Sequence, residues 1–366
     1  MRWLVLAAIA ASTGGCKQLL GFGDPTREPS DAGAAGDSRD GALPSCTLHS
    51  DCASDACSPD GTCADETDVA YVAPTGAGTG CTMVMPCATV ANALATARAY
   101  VKVTGTITET VTIGRAVTVL ADPGARLTSG GGGNGGKPTL QIGASVAVAI
   151  YDLEITGSTK AAIETSGNPT VTLQRVAIDG NTGSGIQASG GTIDVFRSTI
   201  VDNAGGGLLL SGVKFDVEND FIVENGSSTA QFGGVTITGG AVGTLAFDTI
   251  SDNVAQAGAV AGVQCSAASQ PSTYADDLIY NNGGAQISSN AGACAFSYSD
   301  IGPDGTTGTG VVDVDPRFAS TTDYHLMSAS PCVDAADPAA TLAIDFDGQM
   351  RPYGPASDIG ADEVAP

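Results

Sequence analysis

The sequence is poor in basic residues and in histidine. Its 366 residues contain 15 lysines and arginines against 39 aspartates and glutamates, which gives a formal net charge of −24 at pH 7. Nucleic acids and anionic lipid surfaces bind cationic protein faces, so this balance argues against a nucleic-acid partner. The two histidines, His49 and His325, lie outside the repeats described below. A nucleophilic triad built on those repeats is therefore not expected.

Charged and aromatic residues are scarce in total. Charged residues make up 15% of the chain, against about 25% in typical soluble domains. Aromatic residues account for 5%, whereas glycine occurs 50 times. Glycine weakens helices and the faces of helical bundles are rich in charge, so the composition favours a solenoid over a helical bundle.

One short pattern recurs seven times between residues 145 and 301. The same position, called the anchor here, is isoleucine in every repeat, at spacings of 22 to 29 residues: Ile155, Ile178, Ile200, Ile222, Ile250, Ile279 and Ile301. The position five residues before the anchor is always apolar: Ile150, Leu173, Val195, Val217, Leu245, Tyr274 and Phe296. A unit this short cannot hold a strand-helix-strand crossover. The pattern therefore predicts a parallel β-solenoid with one coil per repeat.

Asparagine follows the anchor by three residues in five repeats: Asn181, Asn203, Asn225, Asn253 and Asn282. Coils of a solenoid stack about 4.8 Å apart, so like residues lie above one another. Asparagine tolerates left-handed backbone and can hydrogen-bond the copies above and below, which predicts a structural role. The two longer repeats place their extra residues in loops near 226–232 and 264–272.

The first residues are typical of an exported protein. An apolar run over residues 3–11 is too short to span a membrane as a helix. The small residues after it lead to Cys16 and resemble the lipobox of bacterial lipoproteins, with Thr13 in place of the usual leucine. This resemblance implies that residues 1–15 are a signal peptide and that Cys16 carries a membrane-anchoring lipid. In lipoproteins an aspartate after the modified cysteine often marks retention in the inner membrane, so the resemblance, with Lys17 at that position, implies the outer membrane or cell surface. The alternative is an ordinary secretory signal followed by a chance cysteine.

Residues 16–45 are predicted to be a flexible tether, because they offer little for a core. Residues 46–66 form a cysteine-rich segment with four close cysteines: Cys46, Cys52, Cys57 and Cys63. In an exported chain these cysteines indicate two disulfides, for which three pairings are open. A zinc site is the alternative, but the spacing lacks the usual C-x2-C pairs.

Four further cysteines are expected to form disulfides within the solenoid. Cys81 and Cys87 would close a loop before a short helix in residues 88–99, which we expect to cap the first coil. Cys265 and Cys294 each lie fifteen residues after an anchor, so they occupy the same slot in successive coils. That spacing falls within the reach of a disulfide and leaves Cys332 unpaired.

Two stretches resemble known families. Residues 71–127, which open with Tyr-Val-Ala-Pro, resemble the start of right-handed parallel β-helix proteins of the pectin-lyase-like superfamily. The end resembles the closing motifs of bacterial proteins called choice-of-anchor Q, through the segments 323–326, 330–334, 345–352 and 358–363. The resemblance implies an all-β, single-stranded right-handed parallel β-helix over residues 67–301, closed by a C-terminal region over residues 302–366. His325, within the closing motif, is interpreted as a packing or capping residue.

Two acidic columns flank the anchors. Two residues before the anchor lie Asp220, Asp248 and Asp277, and two residues after it lie Asp202, Glu224 and Asp252. Carboxylates stacked one coil apart repel each other unless they are solvated or bind a cation, so the second column is a candidate Ca²⁺ site. The alternative is that these residues are turn aspartates that bond nearby backbone N–H groups.

Glycan chemistry is implied by the superfamily resemblance, which includes lyases and glycoside hydrolases. A hydrolase could use Asp220, Asp248 and Asp277, since inverting enzymes hold two carboxyls about 6.5–9.5 Å apart. A lyase needs a base, for which Arg197 is the candidate. The repeats lack the compact carboxylate series of polygalacturonases. The sequence therefore predicts a monomeric, lipid-anchored, non-catalytic cell-surface module that binds a polysaccharide or a surface protein, with a lyase or hydrolase of acidic glycans as the alternative.

Overall fold

The computed structural model describes residues 45–130, 136–143, 145–265, 272–288, 294–303 and 307–365. The predicted signal peptide, Cys16 and nearly all of the predicted tether lie outside these residues, as does most of the predicted loop over 264–272. The regular secondary structure of the described part of the chain is almost entirely short β-strands between residues 69 and 302, with one α-helix near its start.

The described residues form 27 strands and the helix α1. In chain order they are β1 (Val69–Val72), α1 (Val90–Ala95), β2 (Tyr100–Val103), β3 (Thr106–Thr108), β4 (Val111–Ile113), β5 (Val117–Ala121), β6 (Arg126–Thr128), β7 (Leu140–Ile142), β8 (Ala147–Tyr151), β9 (Glu154–Thr156), β10 (Ala161–Thr165), β11 (Thr170–Gln174), β12 (Ala177–Asp179), β13 (Ser184–Ser189), β14 (Thr192–Phe196), β15 (Thr199–Val201), β16 (Leu208–Ser211), β17 (Lys214–Glu218), β18 (Phe221–Val223), β19 (Val235–Thr238), β20 (Val242–Ala246), β21 (Thr249–Ser251), β22 (Val260–Cys265), β23 (Thr273–Ala275), β24 (Leu278–Tyr280), β25 (Ala285–Ile287), β26 (Phe296–Ser297) and β27 (Asp300–Gly302). Short 3-10 helices lie at His49–Asp51 and Glu66–Asp68.

These strands stack into three parallel sheets of 10, 9 and 8 strands, and each complete coil contributes one strand to each sheet. Sheet 1 has the order β1-β2-β5-β8-β11-β14-β17-β20-β23-β26, sheet 2 the order β3-β6-β9-β12-β15-β18-β21-β24-β27, and sheet 3 the order β4-β7-β10-β13-β16-β19-β22-β25. Consecutive strands of one sheet come from consecutive coils, which is the topology of a parallel β-helix.

The register of the coils follows the anchors. Each anchor pairs directly with the next along sheet 2, from Ile155 with Ile178 to Ile279 with Ile301, and all seven are fully buried. The apolar column five residues earlier pairs in the same way along sheet 1. The predicted solenoid and its register are confirmed, because a slip of one residue would turn every isoleucine outward.

The backbone bends on either side of each short strand of sheet 2. The residues three before the anchor have φ between 48° and 62° in seven coils: Asp152, Arg175, Arg197, Asn219, Phe247, Asp276 and Tyr298. The residues two after it are also left-handed, with φ from 52° to 74°: Gly157, Gly180, Asp202, Glu224, Asp252 and Asn281. Glycine, asparagine and aspartate adopt this conformation most readily. The second acidic column is therefore part of a repeated turn.

The asparagine column forms a continuous hydrogen-bonded ladder inside the adjacent turn. The side-chain Nδ2 of Asn203 donates to Asn225 Oδ1 at 2.9 Å, and Nδ2 of Asn225 donates to Asn253 Oδ1 at 3.0 Å. The ladder extends to Asn181 at one end and Asn282 at the other, and all five side chains are buried. The predicted structural role of this column is confirmed.

The N-terminal end is closed as the sequence predicted. Helix α1 begins after Thr89, whose Oγ1 accepts a hydrogen bond from the Asn92 N–H. Its buried residues Val90 and Ala93 cover the core of the first coils. The backbone at Cys81 and Cys87 pairs with the free edge of β1, so the edge strand is not left exposed.

Four disulfides form among the described residues, and they use the eight cysteines that the sequence predicted; the pairing within the cysteine-rich segment, which the sequence left open, comes from the structure. The cysteine-rich segment pairs Cys46 with Cys57 and Cys52 with Cys63. The loop before α1 has Cys81 bonded to Cys87, and Cys265 is bonded to Cys294 with a Cα–Cα distance of 5.8 Å. Cys332 is the free cysteine of the described residues; it is fully buried, and its Sγ lies 3.3 Å from Asp300 Oδ2.

The C-terminal region first extends the stack and then turns back along its side. Val312 forms a parallel bridge with Asp300 beside the last strand of sheet 2. Further on, the chain lies on the outer face of sheet 2, where the ring of Phe346 packs edge-on against Phe221 with centroids 4.6 Å apart. Arg197 Nε donates to the Phe346 carbonyl oxygen at 2.8 Å. The region therefore covers one flank of several coils as well as the end of the stack.

Candidate functional site

The acidic column before the anchor lies inside the protein, not on its surface. Asp220, Asp248 and Asp277 are all fully buried. Oδ1 of each accepts a backbone N–H from the preceding coil, at 2.6 Å from Ser198, 2.8 Å from Asp220 and 3.0 Å from Asp248. The expectation that these carboxyls could act on a glycan is wrong, since a substrate cannot reach them. They form a second ladder, parallel to the asparagines.

Burial makes these three aspartates reluctant to ionise. The second carboxyl oxygen of each lacks a hydrogen-bond partner among the described residues. Burial, together with neighbouring carboxyls that include Glu218 and Asp276, raises the pKa of all three well above the usual value. A column of neutral carboxylic acids is the arrangement that avoids three adjacent buried charges.

The free energy of unfolding is therefore expected to fall as the pH rises above about 4. The folded state keeps protons that the unfolded state releases, so each group costs up to about 1.4 kcal/mol per pH unit between its unfolded and folded pKa. Asp248→Asn removes one such group, and we expect its stability relative to the natural protein to rise with pH. Urea unfolding between pH 5 and 8 measures this. Ser198→Ala, in the same column and without a titrating group, should give a constant offset; parallel curves for Asp248→Asn would contradict the prediction.

Arg197 does not join this column. Its guanidinium is tied to the C-terminal region through Nε and the Phe346 carbonyl oxygen. Burial and the neighbouring Arg175 lower its pKa, while Arg175 itself pairs with Asp152 at 2.7 Å. Arg197, the arginine predicted as a lyase base, therefore binds the backbone of the C-terminal region in this structure.

The other acidic column borders an open cleft, called the flank cleft here. It lies between sheet 2 and the C-terminal region, has a volume of about 600 Å³ and is lined by Glu224, Asp252, Tyr280, Asn281, Asp315, Arg317, Phe318, Ser320, Thr321, Tyr324 and Met327. Asp202 belongs to the same backbone slot but is not part of the lining. The sequence identified Glu224 and Asp252, and Tyr280 and Asn281 belong to a later coil of the same stack, whereas the lining from Asp315 to Met327 comes from the C-terminal region, whose path the sequence did not predict.

The floor of the flank cleft is organised by Tyr324. Its hydroxyl lies 3.0 Å from Glu224 Oε1 and 2.8 Å from Asp252 Oδ2, and the residue is 2% exposed. Burial and these two carboxylates raise the pKa of Tyr324, so the phenol stays protonated. A single O–H shared by two carboxylates leaves a negative floor. The calcium site predicted at Asp202, Glu224 and Asp252 stays a prediction. Among the described residues, Glu224 and Asp252 bond to the Tyr324 hydroxyl, and Asp252 also accepts from Asn281 Nδ2.

A third group of carboxylates was missed by the sequence reasoning. Asp194 and Asp216 are register partners on neighbouring strands of sheet 1, and Glu218 follows two residues later on the same outward face. Burial and the neighbouring Asp216 raise the pKa of Glu218 to about 7. The signal in the sequence was available, because these positions flank the apolar column five residues before the anchor and therefore point outward.

The described residues contain two groups with the spacing of metal ligands. Cys46, Cys52 and Cys63 are one, but their sulfurs are committed to disulfides. The other is His325 with Asp347 and Asp362. No helix in the described part of the chain has the length and apolar character needed to cross a membrane.

Comparison with known proteins bears on the fold. The family model described as "Right handed beta helix region" matches residues 128–246. A search of curated proteins found no match. The crystal structure of pectate lyase Pel9A is similar with a TM-score of 0.57 and 13% sequence identity, over 81% of this chain and 96% of that chain. Identity this low speaks to architecture and not to activity. Together with the three parallel sheets, these findings show that the chain folds as a right-handed parallel β-helix.

Proposed function

We propose that this protein is a lipid-anchored β-helix of the cell surface that binds a polysaccharide in the flank cleft without cleaving it. The flank cleft carries the proposal, since it is an open cleft with aromatic rings and convergent polar groups. The aspartates that the sequence offered for catalysis support the non-catalytic reading, because they are buried.

The chemistry of the cleft favours a neutral or amine-bearing glycan. Tyr280 and Phe318 provide half-buried ring surfaces, and the carboxylates can accept hydrogen bonds from hydroxyl or ammonium groups. Arg317 is the positive group in a lining that also holds three carboxylates. An acidic glycan such as a polyuronate would meet like charge, so it should bind more weakly.

Tyr280→Ala is expected to weaken glycan binding about tenfold, which corresponds to about 1.4 kcal/mol. Tyr280 is a half-buried ring at the cleft, so its loss removes contact area without opening the core. Calorimetric titration with neutral, amine-bearing and uronate polysaccharides would measure the effect. Tyr353→Ala is the matched control, because Tyr353 is 53% exposed and lies outside the cleft. Equal affinity of the natural protein, Tyr280→Ala and Tyr353→Ala for the glycan, or a preference for uronates, would contradict the proposal.

The attachment of this protein to a membrane through a lipid on Cys16 is proposed from two resemblances. The first residues resemble lipoproteins, and the last residues resemble choice-of-anchor Q proteins. Cys16→Ser should move the protein from the membrane fraction to the soluble fraction, since a lipid chain contributes about 0.8 kcal/mol per buried methylene. Fractionation of cells that express either form would test this. Cys332→Ser, which changes a buried cysteine far from the N-terminus, serves as the control. Unchanged partitioning of Cys16→Ser would refute lipidation at that residue.

A glycoside hydrolase is the second candidate, and the carboxylates of sheet 1 favour it. A hydrolase pairs an acid of raised pKa with an ionised carboxylate. Burial raises the pKa of both Glu218 and Asp216, and the neighbouring Asp216 raises that of Glu218 further, to about 7, so Glu218 is the candidate acid. If new reducing ends appear in the same glycan screen and are abolished by Glu218→Gln, the non-catalytic proposal is replaced by this one.

A further inference from the structure

The side chains of His325, Asp347 and Asp362 converge at the outer side of the C-terminal region. One nitrogen or oxygen atom of each lies within 4.8 Å of those of the other two. The closest approach is 3.1 Å, between His325 Nε2 and Asp347 Oδ2. These residues belong neither to the flank cleft nor to the carboxylates of sheet 1. They therefore form a separate site, with three ligands from three stretches of chain.

The imidazole ring of His325 is held in one orientation by its surroundings. Nδ1 lies 2.6 Å from Asp323 Oδ1, and the ring packs on Phe221 with centroids 5.2 Å apart. Metal-binding histidines commonly have their second nitrogen bonded to a carboxylate, which fixes the tautomer and points the other nitrogen at the ion. Asp323 meets that description, and Nε2 faces Asp347.

The two carboxylates differ in how firmly they are placed. Asp362 is 5% exposed, and its Oδ2 accepts the backbone N–H of Leu326 at 2.7 Å. The side chain of Asp347 is 42% exposed, so the group opens to solvent on that side. An ion could enter past Asp347 and meet two ligands that are already fixed.

We propose that His325, Asp347 and Asp362 form a zinc site that ties the last residues of the chain to the turn at 345–348. One imidazole nitrogen and two carboxylate oxygens are ligands that zinc takes in proteins, and three protein ligands leave a fourth position for water. Calcium and magnesium prefer oxygen ligands alone, so the imidazole selects against them. Asp323 is a positioning residue, because it acts through His325.

A proton competes with zinc for the same nitrogen. Both ring nitrogens of His325 face carboxylate oxygens, Nδ1 at 2.6 Å from Asp323 Oδ1 and Nε2 at 3.1 Å from Asp347 Oδ2. A metal ion binds the neutral imidazole, so a proton on Nε2 blocks the site. Because zinc must displace the proton, the experiment belongs at pH 8 and not at pH 6.

The test uses the purified protein with its disulfides intact, equilibrated with Zn²⁺ at pH 8. We expect one zinc ion per chain by elemental analysis and a rise in Tm with zinc concentration, since zinc binds only the folded state. Asp347→Asn removes an exposed ligand without opening the core, so the variant should fold and bind zinc at least tenfold more weakly. Asp323→Asn should weaken binding about 10- to 100-fold while the stoichiometry is unchanged.

His49→Gln is the control variant. His49 lies in the cysteine-rich segment, where its Nδ1 accepts the Cys57 N–H, so the change should leave zinc binding unaltered. The proposal is overturned if the natural protein takes up no zinc, or if Asp347→Asn and His325→Gln bind it as well as the natural protein does. Zinc lost on His49→Gln instead would place the ion at the cysteine-rich segment and would also overturn it.

Discussion

Replacing Arg351 with methionine is expected to lower the free energy of unfolding by about 3–5 kcal/mol. The side chains of Arg351 and Glu363 are 0% and 1% exposed, and Nη1 lies 3.4 Å from Glu363 Oε2. The guanidinium also donates to the carbonyl oxygens of Asp358 and Gly360, at 2.8 and 2.7 Å. Methionine fills similar space but leaves two carbonyl oxygens without their side-chain donor. It also leaves the buried Glu363 carboxylate without its counter-charge, bonded only to the N–H groups of Tyr353 and Asp358.

The same substitution should loosen the C-terminal region before the coils unfold. Arg351 stacks on the ring of Phe247, with 4.6 Å from its guanidinium carbon to the ring centroid, and Phe247 belongs to the β-helix. It therefore joins the end of the chain to the flank it covers. Limited proteolysis should cut the Arg351→Met variant within residues 317–365 faster than the natural protein. Urea unfolding gives the total loss.

Two further variants decide whether the effect comes from the buried charge. Arg317→Met, an exposed arginine in the same region, should change stability by no more than about 0.5 kcal/mol. Adding Glu363→Gln to Arg351→Met should recover part of the loss, because it removes the buried charge that has no partner charge. The recovery should be incomplete, since the amide oxygen of glutamine can serve only one of the N–H groups of Tyr353 and Asp358. No recovery would mean that the lost contacts to carbonyls and to Phe247 dominate.

The repeat architecture could be predicted from the sequence because residues of the same type recur at the same position of each coil in a solenoid. Isoleucine at every anchor fixed the register, and the register in turn placed Cys265 opposite Cys294. The asparagine column followed from the same alignment, since only stacked amides can serve as each other's donors and acceptors. These inferences need the period and nothing about distant parts of the chain.

The inward direction of the acidic column was missed, although the sequence held a signal for it. Leu153 and Val176 occupy the same slot in the preceding coils, and both are apolar and buried in the core. An aspartate that follows leucine and valine in a column must also face inward, because the side-chain direction of a slot is shared by all coils. The column was instead interpreted as a possible pair of catalytic carboxyls, because its aspartates repeat at the spacing of the coils.

The path of the C-terminal region could not be read from periodicity, because it does not repeat. The sequence does contain a sign that this region covers sheet 2, in the residues directly before and after the anchor. In early coils these positions hold Glu154 and Asp179, whereas coils under the C-terminal region hold Phe221, Val223 and Leu278, which are buried. Apolar residues on an outer face indicate a cover. Only the structure shows which segment supplies it and that the flank cleft opens beside it.

Asn225→Ala is expected to cost about 4 kcal/mol, near the upper end for a single substitution. Asn225 is fully buried, and its Nδ2 donates to the carbonyl oxygens of Ile200 and Val223 at 2.7 and 3.0 Å. Its Oδ1 accepts from the backbone N–H and the side-chain Nδ2 of Asn203, at 3.2 and 2.9 Å. Alanine leaves these groups without partners in a place that water does not reach. Asn281→Ala, an exposed asparagine of a neighbouring turn slot, is the control and should cost less than about 1 kcal/mol.

Asn225→Asp separates the loss of donors from the loss of volume. The carboxylate keeps the shape and the acceptor of the amide but cannot donate to the carbonyl oxygens of Ile200 and Val223. At pH 7 we expect at least the loss seen for alanine, because a buried charge is added. At pH 4 or below a protonated carboxyl can donate one hydrogen, so part of the loss should be recovered in urea unfolding. A loss that is the same at both pH values would mean that the ladder acts through packing alone. By analogy, the buried aspartates of the parallel column, Asp220, Asp248 and Asp277, would then stabilise the fold through their size and not through hydrogen bonds that a protonated carboxyl donates.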